Sequence, residues 1–192
     1  IEKLQSENVL AETTPLVENA LLLKGTGAIE TLSAYQQGLF HVQDLSSQLC
    51  CKVLPVKKGQ LVYDVCAAPG GKSFTLAQRM ENQGALYAFD LYPHKVKLIE
   101  QGADRLSISI LHAQVQNAAE EVQAEQADCV LCDVPCSGLG ILRRKPEIRY
   151  KEEFHFDELP KLQYQILCSS AKKVKIGGVL VYSTCTLHKK EN

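Results

Sequence analysis

The run Tyr63-Asp64-Val65-Cys66-Ala67-Ala68-Pro69-Gly70-Gly71-Lys72 has the pattern of a strand that stops, turns through proline and two glycines, and becomes a helix. Backbone amides at a helix N-terminus, with no Cβ at Gly70 and Gly71, suit a carboxylate or a phosphate. An ordinary strand-to-helix turn can share this pattern. Asp90, at the end of the next apolar run, favours a ligand, because a carboxylate there accepts hydrogen bonds from ribose hydroxyls bound across the first turn. Together, loop and acid point to a cofactor that carries a nucleoside. A nucleotide-phosphate loop competes, since Gly71-Lys72-Ser73 matches the end of such a motif and Asp133 follows an apolar strand as a magnesium ligand would. It fails at its start: position 66 is cysteine where glycine is needed, and Pro69 removes an amide from the cradle.

Two other segments carry reactive groups, Asp133-Val134-Pro135-Cys136-Ser137-Gly138 and Ser183-Thr184-Cys185-Thr186, each following an apolar β-branched run. Ligands of open parallel sheets collect beyond the carboxyl ends of the strands, so Asp133, Cys136 and Cys185 point to one neighbourhood. A thiol in a loop there is a candidate nucleophile, to the extent that it is a thiolate. Cys50, Cys51, Cys66, Cys129, Cys132 and Cys168 read instead as small buried hydrophobes. The spacing of Cys129, Cys132 and Cys136 suggests metal ligands. However, an odd offset within one strand sends Cys129 and Cys132 to opposite faces, and no metal is expected.

These groups need a frame. From Gln60 onward, short strand patterns at 61–66, 85–90, 128–133 and 179–183, with a weaker one at 108–113, alternate with helical patterns. That order predicts an α/β fold, a mostly parallel sheet with helices on both faces. Helices are expected at 72–80, after Pro93 with Val96, Ile99, Ala103 and Leu106 on one face, and before the last strand with Leu159, Leu162 and Ile166 on the sheet. Residues 1–59 are less regular, with a strand at 20–23, a turn through Gly25 and Gly27 and a helix at 45–54 capped by Asp44. They read as a cap or linker packed on a core at 60–192, and residues 146–156 as a loop over the sheet.

Composition narrows the partners. The 192 residues are 45% hydrophobic and 22% charged, enough to bury one core. A net charge of −1 argues against a domain-wide basic surface, so a nucleic-acid partner needs a local patch. Arg143, Arg144 and Lys145, followed by Lys151, form a dense basic stretch near the reactive edge and suit phosphates. No secretory signal pattern is present, and no apolar run approaches the roughly 20 residues that span a bilayer. A cytoplasmic monomer with reduced cysteines is expected. Since Met80 is the sole methionine, Ile1 reads as the start of an excised or processed piece.

On these motifs the chain resembles the NOL1/NOP2/Sun family of S-adenosylmethionine-dependent RNA cytosine-C5 methyltransferases, and within it the bacterial enzymes acting on 16S ribosomal RNA. The likeness runs from about residue 38 to residue 192. Gly38-Leu39-Phe40-His41-Val42-Gln43-Asp44-Leu45-Ser46-Ser47 resembles the segment leading into the family's domain, and Cys66, Ala67, Ala68, Pro69, Gly70, Gly71 and Lys72 its cofactor loop. Asp133 to Gly138 with Arg143-Arg144-Lys145-Pro146 resembles its fourth motif, and Tyr182-Ser183-Thr184-Cys185 its sixth.

The resemblance implies a Rossmann-like methyltransferase domain truncated at its C-terminal end, without the N-terminal RNA-binding domain of the ribosomal enzymes. It implies S-adenosyl-L-methionine as cofactor, its carboxylate held by the loop amides and Lys72, its ribose by Asp90. Asp133 holds the methionine amine or the pyrimidine edge. Cys185 is implied as the nucleophile that adds to C6 of cytosine and activates C5, and Cys136 as the group that assists breakdown of the adduct. The acid expected to receive the adenine amino group is absent; Asn117 aligns best, Gln114 in another register, and an amide oxygen accepts that bond without charge assistance. DNA-type enzymes use the Pro-Cys cysteine as nucleophile, and amino-group methyltransferases place an aromatic residue at its position, so both fit less well. The alternatives are the same chemistry on transfer RNA and a non-catalytic RNA-binding protein that kept the pocket.

Overall fold

The fold is described from a computed structural model for residues 1–121, 123–150 and 157–192. Lys151 and the second half of the expected loop at 146–156 lie outside the described residues. The chain opens with α1 (Glu2–Ser6) and an antiparallel hairpin of β1 (Leu10–Thr13) and β2 (Leu21–Lys24), then α2 (Ser33–Gln36) and α3 (Leu45–Val53). Asp44 caps α3 by accepting from the Ser46 amide at 2.9 Å. Next come β3 (Leu61–Asp64), α4 (Gly71–Arg79), β4 (Ala85–Asp90), α5 (Pro93–Arg105) and β5 (Leu111–Val115). The chain closes with β6 (Ala127–Asp133), α6 (Leu159–Ala171) and β7 (Val174–Ser183).

Strands β3 to β7 form one parallel sheet in the order β5-β4-β3-β6-β7. Succession runs outward one way from β3 to β5 and the other way from β6 to β7. The switch therefore lies between β3 and β6, where a parallel sheet leaves a crevice beyond its carboxyl ends.

Alternation along the strands assigns the faces. Val62, Leu86, Ala88, Cys129 and Leu131 pack with Cys51 of α3, Phe74, Leu76 and Ala77 of α4, and Ile99 and Ala103 of α5. Tyr63, Val65, Phe89, Val130 and Cys132 pack with Ile166 of α6 on the other side. Cys129 and Cys132 thus sit in different cores, whereas Cys168, read as buried, is exposed on α6, and Cys50 and Cys66 are only partly covered. Phe74 fixes α4 against α5, its ring lying where a Cβ on Gly70 or on Gly102 would come within 2.4 Å. Leu4, Val9, Leu32 and Ala34 form a separate small cluster, whereas Cys51, Leu54 and Val56 join the sheet's core. Arg105 ties this N-terminal part to α5, donating to the Tyr35 and Phe40 carbonyls at 2.7 and 3.0 Å with its guanidinium over the Tyr35 ring.

Several boundaries differ from the sequence reading. The weak strand at 108–113 is displaced to Leu111–Val115, because the amides of residues 106–108 close the end of α5 and those of Ser109 and Ile110 donate to Asn82. The last strand begins at Val174 rather than 179: Gly177, with φ of +82°, carries the chain through an irregularity in the β6–β7 register, and a glycine pair that suggests a turn lies inside the strand. On α6 the face turned inward is Gln163, Ile166, Ser169 and Ser170, while Leu162 is exposed. Strand β1 and the short α1 and α2 were not foreseen. Among the described residues, no helix is long and apolar enough to cross a membrane.

Candidate active site

At the end of β3 the backbone leaves the sheet through Val65 to Pro69, with a cis Ala68–Pro69 peptide, and re-enters a helix at Gly71. Gly70 holds φ of +106°, a conformation open to glycine, and its amide donates to the Ala67 carbonyl at 2.8 Å. That amide closes the turn itself, contrary to the reading that offered it to a ligand. The first-turn amides of α4, at Gly71 and Lys72, have no acceptor within the helix. Ala67 is fixed by its amide, which donates to the Phe89 carbonyl at 2.8 Å.

Asp64, at the last position of β3, is a residue the sequence reading passed over. It is fully buried, with Oδ2 accepting from Ser73 Oγ at 2.7 Å and Oδ1 without a hydrogen-bond partner. Burial, opposed by the Ser73 hydroxyl, pushes its carboxyl up to about 7. The signal was its place, an acid on a buried strand directly before the loop. Asp90 ends β4 and is buried. Its Oδ1 accepts from the Tyr92 amide at 3.1 Å and lies 3.9 Å from Lys95 Nζ, so it also braces the start of α5.

Lys72 departs from its expected role. Its Nζ donates to Asp133 Oδ2 at 2.6 Å, and Ser183 Oγ donates to Asp133 Oδ1 at 2.6 Å. One carboxylate therefore links α4, β6 and β7 across the crevice. Burial lowers the lysine's pKa, but the neighbouring Asp133 outweighs it and holds the ammonium above its ordinary value. Cys50, on α3, also lies near Ser183 and Lys72, its thiol pushed up chiefly by burial.

Cys136 and Cys185 meet beyond β6 and β7 with their sulfurs 3.1 Å apart, and the Cys185 amide donates to Cys136 Sγ at 3.3 Å. Gly140 permits this approach. Its amide donates to the Cys185 carbonyl at 2.9 Å, and a Cβ there would come within 2.8 Å of that oxygen. The two thiols differ in character. The hydrogen bond from Cys136 lowers Cys185 to about 7, against burial and Asp133, with Lys72 helping. Cys136 moves the other way, well above an ordinary thiol, because it holds the shared proton and is partly buried. Cys185 is exposed, and its lowered value favours it over Cys136 as the thiolate of the pair.

Asn117 is engaged locally. Its Oδ1 accepts from the Ala119 amide at 3.1 Å and its Nδ2 donates to Glu120 at 3.0 Å; Gln114 is exposed on β5. Arg143, Arg144 and Lys145 are exposed after β6. Arg144 pairs with Asp44 at 3.3 Å, and with Arg143, Ser46, Gly140 and Ile141 these residues line a concavity of about 190 Å³ between α3 and the β6 loop. A larger hollow, about 410 Å³, opens at the opposite, amino edge of the sheet beside Gly59, Tyr63 and Tyr87, away from both cysteines.

Comparison with known proteins gives the family. Residues 51–192 match the family described as 16S rRNA methyltransferase RsmB/F. The chain is 43% identical, over its whole length and 44% of the relative's, to a probable ribosomal RNA small subunit methyltransferase B of Bacillus subtilis. It superposes on the crystal structure of PH0851 with a TM-score of 0.93 at 36% identity, covering 100% of this chain and 44% of that one. For NSun6 from Pyrococcus horikoshii with SFG, the TM-score is 0.79 at 32% identity, over 85% of this chain and 42% of that one. The chain spans less than half the length of these three proteins. With the matched region holding the cofactor-type loop, Asp133 and both cysteines, this chain belongs to the RsmB/F family of 16S rRNA methyltransferases.

Proposed function

We propose that this domain transfers a methyl group from S-adenosyl-L-methionine to C5 of a cytosine in 16S ribosomal RNA, through a covalent bond between Cys185 and C6. The observation that carries the reading is the cysteine pair at the carboxyl edge, one sulfur 3.1 Å from the other, with Cys185 exposed. C5 of cytosine is a poor nucleophile until a group adds at C6, and an exposed thiolate is the side chain suited to do that.

The residues present fit the cofactor. The fully buried Asp64 with an unpartnered oxygen, the first-turn amides of Gly71 and Lys72, and Asp90 on the adjacent strand offer acceptors and donors around the switch point. The loop 66–72 and Asp64 are assigned to the amino-acid end and Asp90 to the ribose, with Asn117 or Gln114 toward the adenine. When bound, S-adenosylmethionine supplies an electrophilic methyl group. Lys72 and Ser183 hold Asp133 in one orientation, where it meets the pyrimidine edge or the cofactor's amine.

Cys185 adds to C6, and the pair of electrons displaced from the C5–C6 bond makes C5 nucleophilic. After the methyl group is on C5, water at this open edge takes the C5 proton, the C5–H electrons re-form the C5–C6 double bond and the sulfur–C6 bond breaks. The Cys136 thiol, which stabilises the Cys185 thiolate in the free protein, also stabilises it as this leaving group. Exposed Arg143, Arg144 and Lys145 lie beside this edge and are assigned to RNA phosphates. The protein is read as a cytoplasmic monomer. In the full-length protein, Cys185→Ala is expected to abolish both methylation and covalent RNA complexes, while Cys136→Ala accumulates an adduct that survives denaturing electrophoresis. An adduct in Cys185→Ala and none in Cys136→Ala would reverse the roles; full methylation by Cys185→Ala would remove the covalent mechanism.

A further inference from the structure

Glu191 lies far from the cofactor-type loop in sequence, and its side chain has 0% exposure. Its Oε1 accepts from Ser137 Oγ at 2.6 Å; its Oε2 accepts from the Ser137 amide and from Gln163 Nε2, both at 2.9 Å. Ser137 Oγ in turn lies 2.6 Å from Thr186 Oγ1, and the Gln163 amide also reaches the Pro135 carbonyl at 2.9 Å. One carboxylate is therefore bonded, directly or through a single neighbour, to the residues on both sides of Cys136 and to the residue after Cys185. Tyr182, just before the second cysteine segment, donates to the Glu191 carbonyl at 3.0 Å.

Filling space at this point would not require a charge. A buried carboxylate is costly unless it is fully hydrogen-bonded, and an apolar side chain of similar shape stabilises a core at least as well. What a carboxylate adds is direction: it accepts from several donors at once and so fixes the loops that present them. The two loops here come from different strands and are joined beside the cysteines by the Gly140 amide on the Cys185 carbonyl at 2.9 Å and the Cys185 amide on Cys136 Sγ at 3.3 Å; among the described residues no backbone hydrogen bond ties Ser137 to Thr186. Neither cysteine lies in regular structure, so side-chain contacts of this kind add to those two bonds in fixing their separation.

We propose that Glu191 is a positioning residue for the cysteine pair, its carboxylate clamping the Ser137 and Thr186 segments so that the two sulfurs are held 3.1 Å apart. The proposal rests on the reading of Cys136 and Cys185 as the working thiols and adds a third residue, with Gln163 as its support from α6. The groups facing Cys185 are Cys136, Asp133 and Lys72, and the clamp acts through the first of these; Glu191 itself also faces His188, whose Nδ1 lies 3.4 Å from Oε1.

The test uses the full-length protein and two readouts: steady-state methylation, and the pH midpoint for iodoacetamide alkylation of Cys185, followed by peptide mass spectrometry. Glu191→Ala is expected to lower kcat at least tenfold, to leave the KM for S-adenosylmethionine within twofold, and to raise the alkylation midpoint. Glu191→Gln keeps an acceptor for the Ser137 amide and is expected to restore most of both. An unmoved midpoint in folded Glu191→Ala overturns the proposal, as does a loss of kcat matched by loss of cofactor binding. Should Glu191→Ala not fold, Ser137→Ala, which removes the hydroxyl between Glu191 and Thr186, carries the same expectation, and an unmoved midpoint there overturns it equally. Alkylation needs neither RNA nor methyl transfer. If Cys185→Ala keeps full methylation, the catalytic reading fails while the midpoint still judges the clamp.

Discussion

Replacing Cys136 by alanine removes the thiol whose hydrogen bond brings Cys185 from 9.0 to about 7. Without that bond, burial and Asp133 act to raise Cys185 while Lys72 and its backbone hydrogen bond act to lower it, and an ordinary thiol at 9.0 serves as the reference for the substituted protein. A lowered pKa means that the thiolate is present above about pH 7 and is lost as the pH falls through that value. At pH 7 a thiol with a pKa of about 7 is about half ionised, and one at 9.0 about 1% ionised, so the substitution costs about fifty-fold in thiolate. Intrinsic reactivity opposes this, because a thiolate more basic by two units is about 6–10 times more nucleophilic at a Brønsted slope of about 0.4–0.5. The balance is alkylation about 5–8-fold slower at pH 7 and about 6–9-fold faster near pH 10, so the two rate profiles cross. Iodoacetamide labelling across this range, read on the peptide that contains Cys185, separates it from Cys168, the other exposed thiol. Parallel profiles that never cross, or a midpoint near 9 before substitution, would refute the assignment of Cys136 as the donor.

Burial holds the Asp64 carboxyl at about 7 against an ordinary 3.8, so the folded chain binds that proton more tightly than the unfolded chain and stability falls as pH rises from about 4 to about 7. Three units amount to about 4 kcal/mol, and Asp64→Asn should therefore melt higher than the parent at about pH 8 and equally near pH 4; identical melting at both would show that Asp64 is not held neutral. Asp90→Ala should weaken S-adenosylmethionine by about 1.5–3 kcal/mol in calorimetry, the range for hydrogen bonds to a charged group, and unchanged affinity removes Asp90 from the ribose site. Arg143→Ala with Arg144→Ala in the full-length protein should reduce the salt dependence of RNA binding by about 1–2 in logarithmic slope. A slope unaffected by the double substitution leaves the basic stretch as a solvated loop.

How far the fold could be read in advance depended on how local its causes are. Strand and helix alternation from Gln60 onward, Asp44 as the cap of α3 and Pro93 at the start of α5 follow from periodicity and from the few φ values proline allows, and they appear where expected. Opposite faces for Cys129 and Cys132 followed from an odd offset alone. The early start of β7 did not follow, because a glycine pair signals a turn unless a neighbouring strand holds it in register. Nor did the inward Gln163, since a polar residue on a buried helix face makes sense only when its partners, Pro135 and Glu191, are known.

The reactive residues divide in the same way. Their chemical types, their order and their places at strand ends are properties of the chain, and the residues 66–72, Asp90, Asp133, Cys136 and Cys185 could be named from it. Tertiary structure alone decided that Lys72 turns to Asp133, that Gly70 spends its amide within the loop, and that Asn117 folds into its own turn. It also brought the two cysteines into contact, which sets their ionisation apart. Ionisation depends on the neighbour that donates the proton, and that neighbour stands 49 residues away in sequence and 3.1 Å away in space.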